Sequence, residues 1–142
     1  MIDCFDGEFA FLSNFYEHPI QYNGIVYPTN EHFFQAMKSL KEDERKMIAA
    51  APTPGKAKRL GRTITLRSDW EIIKYDIMLL GLRLKFCDKE LREKLRKTGD
   101  EILIEGNTWH DNTWGDCSCE RCRNTPGQNW LGKLLMKVRY EI

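Results

Sequence analysis

One segment governs the architecture, Tyr27-Pro28-Thr29-Asn30-Glu31-His32-Phe33-Phe34-Gln35-Ala36-Met37-Lys38, where the apolar pattern changes from that of a strand to that of a helix. Thr29 or Asn30 can cap this helix, because a side-chain oxygen at either position can accept an otherwise unpaired amide of the first turn. We therefore predict a helix that begins at this cap and ends near Leu40.

Glu31 is the first candidate for chemistry in this helix, because the helix dipole favours an ionised carboxylate in the first turn. Gln35 and Lys38 follow four and seven residues later and share its face, while apolar residues occupy a neighbouring stripe. We expect one side of the helix in the core and the polar row elsewhere. Acidic residues also occur in first turns simply because they stabilise helices by about 0.3 to 1 kcal/mol, and this interpretation stays open.

The residues before this stretch are predicted to be extended. Residues 9–12 lead into a polar loop, and two short strands follow at residues 20–22 and 25–27. Asn23-Gly24 between the strands supplies the positive φ angles of a tight hairpin.

Further helix starts are indicated by Thr53-Pro54, by the capping-box spacing of Ser68 to Glu71, and by Asp88 ahead of a helix that Gly99 ends. Two helices carry apolar residues on one face, namely Ile73, Ile77, Leu80 and Leu84 in one and Leu131, Leu134, Leu135 and Val138 in the last. Residues 101–105 are predicted as a strand and residues 106–128 as a long loop.

Length and composition agree with one globular domain. The chain has 142 residues, 42% of them hydrophobic and 30% charged, with no internal repeat and no apolar run long enough for a membrane span. The amino terminus is acidic where a secretory signal would be basic, so we expect a cytoplasmic protein without a membrane partner. The predicted class is α+β, mainly α, a single domain over residues 1–142 with a short N-terminal β-hairpin and about five to six helices.

The charge is unevenly distributed although the net charge is only +1. Residues 1–37 contain five acids and no Lys or Arg, whereas residues 38–67 contain nine bases against three acids. Such a basic block can meet a phosphate-bearing ligand. A solvated helical face explains the same residues, and both interpretations stay open.

The predicted loop contains a cluster of candidates, namely Trp109, His110, Asp111, Trp114 and Asp116. Indole rings in a polar loop can stack on a flat heterocycle, although they can also cover the edge of a core. A ring platform beside carboxylates would suit cleavage of a sugar to base bond, where one carboxylate positions water and an acid assists the leaving group. Glu31 and Asp116 are the pair that we assign to these roles.

Three of the five cysteines, Cys117, Cys119 and Cys122, lie within six residues. An odd cysteine count without an export signal argues against a disulfide framework. Zinc needs four ligands, so His110 or Cys87 would have to complete a structural site, and thiols without a metal are the alternative.

Several motifs together resemble the NADAR family, which includes bacterial YbiA-type N-glycosidases. They are residues 11–16 (Phe-Leu-Ser-Asn-Phe-Tyr), 27–38, Leu60-Gly61-Arg62, Trp70, Trp114-Gly115-Asp116 and residues 129–136 (Asn-Trp-Leu-Gly-Lys-Leu-Leu-Met). The resemblance covers nearly the whole chain, and Glu-His-Phe-Phe-Gln-Ala-Met-Lys is its most specific part. The cysteine cluster is an addition that some family members lack.

The resemblance implies a mainly helical domain that acts on N-glycosidic bonds of ribosyl compounds and requires no cofactor for catalysis. Family members remove ADP-ribose from guanine in nucleic acid, some as antitoxins, or hydrolyse phosphorylated intermediates of riboflavin synthesis. By its motifs Glu31 matches the family's catalytic glutamate, and the residues that match its proposed pocket are Asn14, Phe15, Lys38, Gly61, Arg62, Trp70, Trp114 and Asp116. We predict Glu31, Asp116 and Lys38 as the catalytic residues. The predicted substrate-binding residues are Asn14, Phe15, Tyr16, Gly61, Arg62, Trp70, Trp114 and Asn129.

The function predicted from the sequence is hydrolysis of a ribose C1–N bond, first of all removal of ADP-ribose from guanine, with Arg62 and its neighbours holding the phosphates. The expected partner is then ADP-ribose or another phosphorylated ribosyl compound, and ADP-ribosylated DNA is a further candidate. The oligomeric state is left open. Lys38 also admits a mechanism in which its amine forms an imine at the anomeric carbon. The alternatives are the riboflavin intermediates, a non-catalytic module that binds ADP-ribose or a related nucleotide, and a zinc-stabilised domain that binds a partner through its loop.

Overall fold

The computed structural model describes residues 1–142 and contains six α-helices, one 3₁₀ helix and four short strands. The 3₁₀ helix is Gly7–Leu12; the strands are β1 Glu17–Tyr22, β2 Ile25–Thr29, β3 Gly106–Asn107 and β4 Asp116–Cys117; the helices are α1 Asn30–Ala36, α2 Glu42–Ala49, α3 Pro54–Leu60, α4 Trp70–Lys85, α5 Lys89–Lys97 and α6 Trp130–Glu141. The α+β class with a mainly helical composition is confirmed. The residues form two compact units, 14–85 in one and 1–13 with 86–142 in the other, and the single domain stays a prediction.

The hairpin of the unit formed by residues 14–85 is confirmed. Strands β1 and β2 pair antiparallel, with Tyr22 opposite Ile25, and the register shifts between Glu17 and Ile20. Asn23 and Gly24 have φ angles of 50° and 80°, the left-handed values that a tight two-residue turn requires.

Helix α1 lies at the centre of this unit, in contact with both strands and with α2, α3 and α4. Thr29 is its N-cap and accepts a hydrogen bond from the amide of His32. The helix ends at Ala36, earlier than predicted, and all seven of its residues are buried. The expectation of one buried side was wrong, because neighbouring elements cover this helix all round.

Helix α4 begins at Trp70, as the capping signal indicated, but it buries a different face. Met78, Leu82 and Lys85 are almost fully buried, whereas the four residues predicted to face inward, Ile73, Ile77, Leu80 and Leu84, are only half-buried. Gly81 lets this face approach α1, since a Cβ at that position would collide with the side chain of Asn30.

The second unit contains the 3₁₀ helix, α5, α6 and the two shortest strands. Residues 7–12 are helical rather than extended, which corrects the sequence prediction. Asp88 caps α5 by accepting a hydrogen bond from Leu91 N, and Gly99 follows the helix with a φ of 59°. Helix α6 buries the four apolar residues that the sequence placed on one face.

Residues 101–105 do not form a regular strand. In this segment only Leu103 makes a β-bridge, an isolated parallel one to Ile2. A strand needs consecutive paired residues, and these are not present here. Strands β3 and β4 instead pair in parallel inside the predicted loop, with Asn107 opposite Cys117. No helix of the structure has the length and apolar character that crossing a membrane would require.

Candidate functional site

Glu31 carries a buried carboxylate, with 7% of the residue exposed to solvent. The side chain of Gln35, one turn later on α1, donates from Nε2 to Glu31 Oε1 over 3.0 Å. A hydrogen bond from a neutral amide to a carboxylate is charge-assisted and favours the ionised acid. Gln35 therefore orients Glu31 and stabilises its negative charge.

The amino end of α1 is held by Asn14, a residue that the sequence assigned to substrate binding. The backbone carbonyl of Asn14 accepts from Glu31 N at 3.0 Å, and its Oδ1 accepts from Asn30 Nδ2 at 2.8 Å. Both asparagines also place Nδ2 3.5 Å from the sulfur of Met78 on α4. The structure thus places Asn14 beside Glu31, with its side chain engaged by the helix itself, and a contact with substrate stays a prediction.

His32 is a structural residue of this helix. Its Nε2 lies 2.9 Å from the carbonyl oxygen of Ala51, which can only accept, so Nε2 carries the proton. Its Nδ1 then accepts from the Thr29 hydroxyl at 2.8 Å. Burial lowers the pKa of His32, although the hydrogen bond to Ala51 opposes this effect.

Gly61, at the end of α3, lies against the Gln35 side chain. A Cβ at this position would overlap Gln35 Oε1, which is buried and has no hydrogen-bond partner in the protein. Gly61 has a helical φ of −58°, so space rather than backbone conformation excludes a side chain here. The glycine lets Gln35 keep the position from which it contacts Glu31.

Lys38 lies two residues beyond the end of α1 and beside Trp70, with Nζ 6.0 Å from the centre of the indole ring. Trp70 is buried and packs on Phe34 with ring centres 5.0 Å apart. Burial lowers the pKa of Lys38; the charge of Glu31 opposes the shift, while Arg62 and Lys58 add to it. Burial thus shifts the pKa of Lys38 in the direction that the imine mechanism needs.

Phe15 and Tyr16 follow Asn14 along the chain. Phe15 is 47% exposed, whereas Tyr16 is half-buried with the Nζ of Lys85 5.6 Å from its ring centre. Burial lowers the pKa of Lys85 to about 7. The exposed ring of Phe15 is therefore the more accessible of these two candidate binding residues.

The remaining predicted residues, Trp114, Asp116 and Asn129, lie in the second unit. Asp116 is on β4, and its Oδ1 accepts from Gly127 N at 2.9 Å. Trp114 is half-buried. Asn129 accepts from Glu105 N and donates to the carbonyl of Leu103, so its side chain joins the start of α6 to the segment before β3.

His110 and the three clustered cysteines also lie in the second unit. The ligand atoms of His110, Cys117, Cys119 and Cys122 are all within 4.8 Å of one another, so this cluster could hold a metal ion. Of the two residues that the sequence offered as the fourth ligand, the structure selects His110 rather than Cys87.

In one unit the structure brings Glu31 and Gly61 against Gln35 and places Lys38 beside Trp70. Asp116 lies in the other unit, next to Cys117 of the cysteine cluster. Cooperation between Glu31 and Asp116 stays a prediction. The positioning role of Gln35 was missed, although its spacing of four residues from Glu31 was the available signal. Nothing in the sequence could connect Gln35 with Gly61, which lies 26 residues later.

Comparison with known proteins supports the family suggested by the motifs. The NADAR domain model matches residues 4–142. The N-glycosidase YbiA of Shigella flexneri is 39% identical over 138 residues, which are 95% of this chain and 82% of that protein. The riboflavin biosynthesis protein PYRR of Zea mays is 36% identical over 152 residues, with 94% of this chain matching 23% of that protein. The NMR structure of the E. coli protein YbiA superposes with a TM-score of 0.82 at 37% identity, over 99% of this chain and 84% of that one. This chain belongs to the NADAR domain family.

Proposed function

We propose that this protein is an N-glycosidase that hydrolyses the bond between ribose C1 and a nitrogen. The observation that carries the proposal is the carboxylate of Glu31, which is buried and held by Gln35 in a helix that is buried all round. A buried carboxylate with a dedicated hydrogen-bond donor is an arrangement found at catalytic sites. The name N-glycosidase of a relative 39% identical to this chain supports the same reaction.

Glu31 acts on the water molecule or on the sugar. Its carboxylate can accept a proton from an attacking water or stabilise the positive charge that develops at C1 as the bond to nitrogen breaks. Asp116 is the proposed partner that assists the leaving base. Gln35 contributes by holding the Glu31 carboxylate in one position.

Lys38 offers a second route to the same products. Its neutral amine would attack C1 of the ring-opened sugar, the nitrogen base would leave with a proton, and water would then hydrolyse the imine to free the sugar and regenerate Lys38. The lowered pKa of Lys38 favours this route, because it raises the fraction of neutral amine at neutral pH. The charge of Glu31 opposes the lowering of the Lys38 pKa, so the two groups interact electrostatically.

A cationic group beside Lys38 supports a phosphorylated substrate. Part of the basic block is used within the protein, since Lys46 pairs with Glu42 and Arg67 with Asp69. Lys58 and Arg62, by contrast, lie close enough to Lys38 to lower its pKa. We propose that this cationic group holds the diphosphate of ADP-ribose and that the substrate is ADP-ribosyl-guanine, free or in DNA.

The same chemistry on phosphorylated intermediates of riboflavin synthesis is the second candidate. The similarity to a maize protein named for riboflavin biosynthesis favours it. A single ribose phosphate would need fewer of the bases around Lys38.

The reaction itself is assigned no metal, because carboxylates and an amine supply the groups that it needs. A metal held by His110 and the cysteines would be structural. The five free cysteines fit the reducing cytoplasm.

The test compares three proteins on two substrates. Wild type, Glu31→Gln and Glu42→Gln are incubated with ADP-ribosylated guanine DNA and, separately, with the phosphorylated riboflavin precursor, and the released sugar phosphate is separated by chromatography. Glu42 is the matched control, because it also lies in the first turn of a helix but its side chain is 72% exposed. We expect wild type and Glu42→Gln to release ADP-ribose and Glu31→Gln to lose at least about 100-fold in turnover.

The outcomes separate the candidates. Release from the riboflavin precursor alone would identify that precursor as the substrate and would still support the N-glycosidase proposal. Binding of ADP-ribose by wild type and Glu31→Gln alike, with no sugar released from either substrate, would identify a non-catalytic binding module and overturn the proposal.

A further inference from the structure

Four side chains of the second unit have the spacing of a tetrahedral metal site. His110 Nδ1 lies 3.2 Å from Cys119 Sγ and 3.4 Å from Cys122 Sγ, and all four donor atoms, including Cys117 Sγ, are within 4.8 Å of one another. Around zinc, bond lengths of about 2.3 Å to sulfur and about 2.0 Å to nitrogen give nitrogen to sulfur edges of about 3.6 Å and sulfur to sulfur edges of about 3.8 Å. The protein therefore arranges the donors close to the positions that zinc requires.

The backbone around His110 supports the same arrangement. His110 has a φ of 69°, a left-handed conformation that a residue with a Cβ adopts at some cost. In this conformation its amide donates to Cys117 Sγ over 3.3 Å while its ring approaches the other two sulfurs. Amide hydrogen bonds to sulfur are contacts that stabilise metal-bound thiolates. The amide of Cys117 is held in turn by Asn112 Oδ1 at 2.9 Å.

The donor set indicates which metal. Three thiols and one imidazole in a tetrahedral arrangement suit zinc, whereas calcium and magnesium prefer oxygen ligands. The remaining thiols, Cys4 and Cys87, are exposed and belong to no such cluster.

We propose that His110, Cys117, Cys119 and Cys122 bind one structural zinc ion. All four coordination positions would be filled by protein, so no position is left for a catalytic water. The ion would join Cys117 on β4 to His110, seven residues earlier, and would close the segment that carries Trp114 and Asp116. This consequence for Asp116 rests on the proposed function, whereas the zinc site does not.

The test measures metal directly in the protein of residues 1–142, purified from zinc-supplied cells without chelator. Elemental analysis is expected to find about one zinc per chain in wild type and in the control Cys87→Ser, and much less in Cys119→Ser. Cobalt added to chelator-treated wild type is expected to show the visible bands of tetrahedral cobalt together with a thiolate charge-transfer band. A chelator should lower the Tm of wild type and Cys87→Ser.

If Cys119→Ser does not fold, the cobalt titration of wild type still tests the zinc site. Metal-free wild type without a tetrahedral cobalt spectrum would overturn the zinc site, as would a disulfide between two of the three clustered cysteines found by mass spectrometry. If loss of zinc lowers Tm but leaves sugar release unchanged, the zinc site is supported. Only the proposed effect of zinc on Asp116 would then be contradicted. An inactive protein with one zinc per chain would instead contradict the proposed function alone.

Discussion

Gln35 Nε2 donates a 3.0 Å hydrogen bond to Glu31 Oε1, so that the one acidic side chain of α1 is held by the amide one turn later. The opposite end of the same amide lies against Gly61, where no side chain fits. The orientation of Glu31 therefore depends on a contact between α1 and the end of α3.

Replacement of Gln35 by methionine tests this relationship. Methionine keeps the length of the side chain but removes the donor, so we expect kcat to fall by about 10- to 100-fold through loss of orientation, with a smaller change in KM. Gln21→Met, on the exposed side of β1, is the control. Unchanged kinetics in Gln35→Met would show that Glu31 needs no such support.

The two glycines of the α3 region make a matched pair. We expect Gly61→Ala to lower both turnover and the free energy of unfolding, by roughly 1 to 3 kcal/mol, because its Cβ displaces Gln35. Gly55→Ala should be neutral or slightly stabilising, since the nearest atom to a Cβ there is Thr53 Oγ1 at 3.9 Å. Urea unfolding and the release assay measure both effects. Equal behaviour of the two variants would contradict the role of Gly61.

Reductive trapping distinguishes the role of Lys38. If its amine attacks C1, borohydride added during turnover will reduce the imine to a stable secondary amine and inactivate wild type. We expect mass spectrometry to locate the sugar adduct on the peptide that contains Lys38, and Lys38→Met to form none. Turnover that proceeds without any trapped adduct would favour direct attack by water.

Arg62 and Arg59 provide a test of phosphate binding, because both are exposed and lie within four residues of each other. Arg62→Gln should raise KM for the phosphorylated substrate by about tenfold or more, the effect of losing a charged hydrogen bond, and should weaken the salt dependence of KM. Arg59→Gln should change KM much less. Similar effects from both substitutions would indicate a diffuse electrostatic attraction rather than a specific phosphate contact.

Lys85 gives the fold a characteristic pH dependence. Its pKa is about 7 in the folded protein against an ordinary 10.5, so between these values the unfolded chain binds the additional proton. The free energy of unfolding should therefore rise with pH across this window, by at most about 1.4 kcal/mol per pH unit from this residue. Urea unfolding from pH 7 to 9 should show the rise in wild type relative to Lys85→Met. Parallel pH curves for the two proteins would contradict it.

Local sequence patterns predicted the features that depend on atoms only a few residues apart. The Asn23-Gly24 turn and the caps at Thr29, Thr53 and Asp88 all form as predicted, because each involves local backbone angles or an amide two or three residues away. The NADAR motifs, with Glu31 at their centre, were likewise readable from the order of the residues.

Which faces are buried and which distant groups meet could not be predicted from these patterns. Periodicity predicted one buried side for α1, but neighbouring elements cover every side of this helix. Periodicity also indicated the wrong buried face of α4, on which Gly81 accommodates the side chain of Asn30. Spacing also left both His110 and Cys87 open as a fourth ligand, and only the structure places His110 with the three cysteines. Such outcomes depend on packing between segments far apart in the chain, which a local sequence pattern does not describe.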